Sequence, residues 1–167
     1  AYLCSVLTQA GFNHLAYTLF LNENYPGWLY EVNMGATTVW ERWNSVMPDG
    51  HMSSTGMNSL NHYAYGAVME WVCRDAAGLA PVEDAPGFRR ALMHPHPDMR
   101  LGEIDFSYES AMGRYRTHWK TVDETTFDWE VEVPFGAQAE AVLPLGTVTG
   151  SGTDWQEQAD GCLHAVL

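Results

Sequence analysis

The sequence has few basic residues, few cysteines and no long apolar run. Eight Lys and Arg stand against 21 Asp and Glu, which gives a formal net charge of −13. A protein that binds nucleic acid or an anionic membrane needs a basic surface, so this deficit excludes both kinds of partner. A transmembrane helix needs about 18–20 consecutive apolar residues, and no such run occurs. We therefore expect neither nucleic-acid binding nor a membrane span.

Cysteine and histidine are spaced in a way that predicts no metal and no cofactor. Cys4, Cys73 and Cys162 are far apart and odd in number, which predicts three buried free thiols in a reducing compartment. His94 and His96 offer two imidazoles on one strand face, but the spacing supplies no third ligand. No phosphate loop or nucleotide fingerprint is present either.

Aromatic residues are abundant. The chain contains seven Trp, eight Tyr and six Phe, and 46% of its residues are hydrophobic. This composition excludes a disordered chain and supports a packed core. A flat aromatic ring covers the C–H face of a sugar while polar neighbours bind its hydroxyls. The composition therefore favours a neutral ligand such as a carbohydrate.

The first half of the chain has helical periodicity. Apolar spacing predicts two short helices within residues 2–20 and another over residues 28–34. Thr38-x-x-Glu41 matches a capping box, which predicts a short helix over residues 37–44. A long helix is expected over residues 58–77, with Gly78 as its stop.

The spacing of apolar residues changes from a helical period of 3.6 to a strand period of 2 after a Pro-rich link at residues 81–87. Six stretches alternate in polarity and predict strands: residues 88–93, 104–108, 113–120, 126–133, 138–143 and 161–167. Short strands at this spacing are typical of an antiparallel β-sandwich. We therefore predict a two-part α+β chain, helical over residues 1–80 and a sandwich over residues 81–167.

One carboxylate lies in an unusual setting, because Glu41 falls between Trp40 and Trp43. As the last member of the capping box, Glu41 would only stabilise the start of the helix. As a general base it would lie at a cavity wall lined by aromatic rings. His62 opens the long predicted helix, where a lone His is commonly structural. Trp28 follows a Pro-Gly turn, and it can serve equally as a sugar platform or in the core.

At these residues the sequence resembles the bacterial α-L-rhamnosidases of glycoside hydrolase family 78. The resemblance rests on Tyr25-Pro26-x-Trp28, Gly35-Ala36-Thr37-Thr38-x-Trp40-Glu41-Arg42-Trp43, Ser59-x-Asn61-His62-Tyr63-Ala64-Tyr65-Gly66-Ala67-Val68, Pro86-Gly87-Phe88-Arg89, Tyr108-x-Ser110-x-x-Gly113 and Trp119-Lys120. These motifs occur in order along nearly the whole chain.

The resemblance implies that the helices are the last ones of an (α/α)6 barrel and that a C-terminal β-sandwich follows. It implies hydrolysis of terminal α-L-rhamnose by inversion, with Glu41 as the general base. It also implies that His62 contacts rhamnose, and that Trp28, Trp40 and Trp43 line or support the pocket. The family's general acid belongs to earlier barrel helices, so we expect a piece of a longer protein that is inactive alone.

Two alternatives remain open at this level. The chain can be a non-catalytic carbohydrate-binding or structural module, or part of another inverting (α/α)6 glycosidase with a different sugar specificity. The expected partner is a rhamnose-containing glycoside or oligosaccharide. The sequence indicates no oligomeric state.

Overall fold

The computed structural model describes residues 2–54, 56–150 and 152–167. It divides into two compact units, Ala1–Trp71 and Val72–Leu167. The first unit contains the α-helices α1 (Leu3–Gln9), α2 (Asn13–Phe20), α3 (Trp28–Asn33), α4 (Tyr63–Gly66) and α5 (Val68–Trp71). The predicted domain boundary after residue 80 stays a prediction. None of the described residues forms a helix that is long and apolar enough to cross a bilayer.

The first two helices pack around buried aromatic residues. Gly11, at a φ of 82°, ends α1, as the break in apolar spacing predicts. Tyr17 of α2 is fully buried and meets the Trp71 ring edge-on, with the ring centroids 5.1 Å apart. The Trp71 indole N–H donates to Thr8 Oγ1 at 2.9 Å. The buried end of α5 is therefore held by both short helices.

The short helix predicted over residues 37–44 is absent, and the capping-box interpretation of Glu41 is therefore wrong. The backbone N–H groups that a helix would use have other partners. The Trp40 amide donates to the Glu31 carboxylate, and the Glu41 amide donates to Ser59 O at 2.9 Å. Thr38 Oγ1 donates to Leu60 O instead of capping a helix. The segment is therefore an irregular loop that is hydrogen-bonded to distant parts of the chain.

The helix predicted over residues 58–77 begins later and is interrupted. His62 is extended (φ −134°, ψ 136°), and α4 starts only at Tyr63. Residues 58–61 instead pair with the irregular loop. After α4 and α5 the chain continues as a π-helical turn, Val72–Ala76. Gly78, at a φ of 78°, follows this turn and ends the helical region as predicted.

The second unit consists of two sheets. The first sheet has the order β1-β2-β6-β8-β7, and the second has the order β3-β4-β5. The strands are β1 (Leu79–Pro81), β2 (Arg90–Met93), β3 (Glu103–Ser110), β4 (Gly113–Thr121), β5 (Phe127–Glu132), β6 (Gln138–Pro144), β7 (Gln156–Glu157) and β8 (Cys162–Val166). All six predicted strands are present. The two additional ones, β1 and β7, are too short for alternation to show in the sequence.

The sandwich is not wholly antiparallel, because β2 and β6 pair in parallel. A parallel pair needs a long connection, and here the whole second sheet lies between the two strands in the chain. Tyr115 of β4, Met93 of β2 and Ala139 of β6 share one buried cluster. The alternation predicted for β4 is confirmed, since Tyr115, Thr117 and Trp119 are buried and their neighbours are more exposed.

Of the three predicted thiols, only Cys4 is fully buried, whereas Cys73 and Cys162 are half-buried. All three are free. Burial raises the pKa of the Cys4 and Cys73 thiols, so both stay protonated and unreactive near neutrality. These thiols are structural residues.

Gly78 tolerates no side chain, and a substitution there is therefore expected to lower the stability of the protein. A Cβ there would lie 2.2 Å from the backbone N of Pro95, and the residue has a positive φ. Gly136 has a similar φ of 84° but open space around its Cβ position. We expect Gly136→Ala to lower the free energy of unfolding by about 1–2 kcal/mol, the cost of the left-handed backbone. We expect Gly78→Ala to lower it by about 3 kcal/mol or more, since the backbone must also move. Urea unfolding of both variants measures this difference, and equal losses would contradict it.

Candidate active site

Glu41 lies on the irregular loop, and its carboxylate has one fixed oxygen. The Ser59 amide donates to Glu41 Oε2 at 2.8 Å, while the Glu41 amide donates to Ser59 O at 2.9 Å. The two residues are therefore joined by a reciprocal pair of hydrogen bonds. The side chain is half-buried, and Oε1 has no hydrogen-bond partner among the described residues. One oxygen is thus held in place and the other is available to a water molecule.

The loop that carries Glu41 is joined to residues 52–59 along its length. Ser45 is fully buried, and its hydroxyl donates to Asn58 Oδ1 at 2.6 Å. The Asn58 side-chain Nδ2 donates in return to Ser45 O at 3.0 Å. Val46 and Met52 form an isolated β-bridge. These contacts fix the chain that follows Glu41, although no regular helix or strand supports it.

Three aromatic rings form a rigid cluster in the same unit. Trp43 stacks on Tyr65, with the centroids 3.9 Å apart and an interplanar angle of 18°. Trp28, the first residue of α3, meets Trp43 edge-on at 5.0 Å. The Trp28 indole N–H donates to Tyr65 O at 2.9 Å. All three rings are half-buried. Sequence reasoning missed Tyr65, although it lies in the quoted motif after His62.

Trp40 differs from the other two predicted tryptophans because it is 4% exposed. Its backbone amide donates to Glu31 Oε2 at 3.1 Å. A ring this deeply buried packs in the core and offers no face to a ligand. Between the two predicted roles for Trp40, burial favours support of the pocket.

His62 caps α4 with its own ring. The Ala64 amide donates to His62 Nδ1 at 3.2 Å. Since Nδ1 accepts, the proton of the neutral ring is on Nε2. That nitrogen has no partner among the described residues and can donate to a ligand hydroxyl. The ring stacks on the exposed Tyr63, with the centroids 5.1 Å apart. The His62 amide also donates to Val39 O at 2.8 Å, next to the loop of Glu41.

His94 and His96 lie in the second unit, with ring centroids 4.4 Å apart. Burial lowers the pKa of His94, and it lowers that of His96 to about 4, with the His94 ring as a second cause. Both rings are therefore neutral at neutral pH. Across the three described ranges of the chain, no three His, Cys, Asp or Glu residues are grouped so as to hold a metal ion.

The second unit also has an open cleft of about 770 Å³. Its lining includes Arg90, Gln138, Glu140, Asp154, Gln156 and His164. No Trp, Tyr or Phe is among the described residues that line this cleft, so it lacks the large apolar ring that a sugar site uses. The cluster of Trp28, Trp43 and Tyr65 and the Glu41 carboxylate all lie in the first unit.

Two family models match the chain in succession. Residues 1–76 match the bacterial alpha-L-rhamnosidase 6 hairpin glycosidase domain, and residues 78–157 match the bacterial alpha-L-rhamnosidase C-terminal domain. The first match contains the candidate site. The second covers most of the two sheets.

Known proteins agree with both matches. The chain is 42% identical over 142 residues to an alpha-L-rhamnosidase of Alteromonas sp. (strain LOR), which is 85% of this chain and 15% of that protein. It is 37% identical over 142 residues to the Streptomyces avermitilis alpha-L-rhamnosidase, or 85% of this chain and 14% of that one. The crystal structure of a Streptomyces avermitilis alpha-L-rhamnosidase complexed with L-rhamnose superposes with a TM-score of 0.87 at 34% identity, covering 98% of this chain and 16% of that one. The chain thus spans about 15% of the length of these relatives. It belongs to the bacterial α-L-rhamnosidase family.

Proposed function

We propose that this chain supplies the general base of an inverting α-L-rhamnosidase and that Glu41 is that base. One observation carries the proposal. Glu41 has one carboxylate oxygen fixed by the Ser59 amide and the other without a partner among the described residues. A carboxylate oxygen that no protein group occupies can accept a proton from a water molecule.

In this mechanism Glu41 Oε1 accepts a proton from a water molecule. The water attacks the anomeric carbon on the face opposite the leaving group, so the sugar configuration inverts. An acid on the other side of the sugar protonates the leaving oxygen. The two carboxyl groups of an inverting enzyme lie about 6.5–9.5 Å apart, which leaves room for the water. The hydrogen bond from Ser59 holds Glu41 Oε2 and so orients the carboxylate for its part in this reaction.

The neighbouring side chains suit a deoxy sugar. His62 Nε2 is a donor for one of the ring hydroxyls, since its Nδ1 is occupied by the Ala64 amide. Trp28 and Trp43 offer rigid apolar surface for C–H groups and the methyl group of rhamnose. We propose terminal α-L-rhamnose of a glycoside or oligosaccharide as the substrate. The general acid belongs to the part of the complete protein that lies outside this chain, and we place that protein in the bacterial cytoplasm.

The stereochemistry of the product tests this proposal. The complete enzyme is incubated with an aryl α-L-rhamnoside, and the anomeric proton of the released sugar is followed by NMR. We expect β-L-rhamnose to appear first and to mutarotate later. Aryl α-L-fucoside and β-D-glucoside are the control substrates, for which we expect no release. First appearance of the α-anomer would contradict inversion, and preference for a control sugar would indicate another glycosidase.

A further inference from the structure

Glu31 is a buried carboxylate in an apolar helix. It lies in α3, within the sequence Trp-Leu-Tyr-Glu-Val-Asn, and is 4% exposed. Its Oε2 accepts the Trp40 amide at 3.1 Å. Its Oε1 is buried and has no hydrogen-bond partner among the described residues. A carboxyl group in such a position is costly to bury. Packing alone would favour an apolar residue there, so the position calls for a polar role.

The contact with Trp40 adjoins the candidate base. Trp40 directly precedes Glu41, and the loop is not helical, so its amide has no helical acceptor. Glu31 supplies that acceptor from α3. On the next residue, the Glu41 amide donates to Ser59 O. Two consecutive backbone amides are therefore held by two different parts of the unit, and they define the direction in which the Glu41 side chain leaves the backbone.

Either protonation state of Glu31 suits this role. Burial raises the pKa of its carboxyl group, and the hydrogen bond from Trp40 opposes that rise. Oε2 can accept the Trp40 amide whether the group is charged or neutral, and the neutral form is the less costly one to bury. A glutamine has the same shape and the same acceptor, so it reproduces the neutral acid closely.

We propose that Glu31 is a positioning residue for Glu41, acting through its hydrogen bond to the Trp40 amide. This proposal rests on the proposed role of Glu41 as the base. Glu31 does not touch the substrate in this proposal. Without its acceptor, the loop relaxes and the Glu41 carboxylate shifts relative to the attacking water. A displacement of about 1 Å at a reacting group can cost about 100-fold in rate.

Kinetics of the complete enzyme test the proposal. We expect Glu31→Ala to lower kcat by about 10–100-fold with KM changed less than about twofold, because the base acts in the transition state. We expect Glu31→Gln to stay within about threefold of the parent kcat. The matched control is Glu23→Ala, an exposed glutamate in the same unit, for which we expect no change. Unchanged kcat in Glu31→Ala, or an equal loss in Glu31→Gln, would overturn the proposal.

Two further measurements keep the test decisive. In the complete enzyme, hydrogen exchange of the Trp40 amide should accelerate in Glu31→Ala and not in Glu31→Gln. If Glu31→Ala does not fold, Glu31→Asp replaces it, since the shorter carboxyl cannot reach the same amide. The same loss of kcat is then expected, and a normal kcat would overturn the proposal.

Glu41→Gln is assayed alongside to separate the two proposals. If it loses turnover while Glu31→Ala keeps it, the base assignment stands and the positioning role is wrong. If Glu41→Gln keeps turnover, the proposed function itself is wrong, and the positioning role falls with it.

Discussion

Glu41→Gln in the complete enzyme is expected to lower kcat by about 10²–10⁴-fold, with KM and the unfolding temperature nearly unchanged. The glutamine oxygen can still accept the Ser59 amide, as Oε2 does now at 2.8 Å. The loop therefore keeps its shape. The amide cannot take a proton from water, so only the chemical step suffers. Steady-state kinetics on an aryl α-L-rhamnoside and a thermal unfolding curve measure both effects.

The control for this variant is Glu23→Gln, which removes the same charge from an exposed position outside the site. We expect it to keep parent activity and stability. Normal turnover with a lower unfolding temperature in Glu41→Gln would show that Glu41 serves only to join its loop to Ser59. That result would replace the catalytic role with a structural one.

The second large effect concerns the chain by itself. We expect the purified 167-residue chain to show no measurable hydrolysis of an aryl α-L-rhamnoside. The general acid and the general base each contribute typically about 10²–10⁴-fold, and the chain spans only about 15% of its relatives. We expect most of the pocket to lie outside the chain as well. The assay compares equal molar amounts of the chain and the complete enzyme.

An activated substrate makes this comparison sharper. A dinitrophenyl glycoside has a good leaving group and needs little help from an acid. If the chain hydrolyses the dinitrophenyl glycoside but no unactivated glycoside, the base and its pocket work without the acid. The expected inactivity would then be wrong for activated substrates. Hydrolysis of an unactivated glycoside would place the acid within this chain. Circular dichroism of the same sample establishes that the chain is folded.

The six longer strands could be predicted from sequence. Alternation along β4 and β5 identified both strands within a residue or two, because a strand with one buried face must repeat every two residues. The parallel pairing of β2 with β6 could not be predicted in the same way. Arg90 and Gln138 are neighbours in the sheet and 48 positions apart in the chain, and nothing local encodes that distance.

The helical half was harder to predict. The capping box at Thr38 and Glu41 is a local pattern, and it predicted that Glu41 binds the Thr38 amide at a helix start. Glu41 does accept a backbone amide. The amide is that of Ser59, however, 18 residues later. The pattern failed because Leu60 O took the Thr38 hydroxyl and Glu31 took the Trp40 amide. Tertiary hydrogen bonds displaced the helical ones.

In the candidate site, too, some residues could be identified from sequence and others only from the structure. The ordered motifs identified Glu41, His62 and the three tryptophans as candidates, and their catalytic and binding roles stay predictions. Sequence reasoning missed Ser59, Tyr65 and Glu31 as contributors. A signal did exist for Glu31, because it is a single acidic residue in an apolar helix.

The amino-acid sequence by itself determined the family, the change from a helical to a strand-rich part, and which carboxylate to suspect. These depend on residue types, on their spacing and on their order. Only the tertiary structure decided that Trp40 is buried, that Glu41 has one held and one available oxygen, and that Glu31 supports the residue before it. The physical reason is that hydrogen-bond partners and burial arise between segments that the chain brings together only on folding.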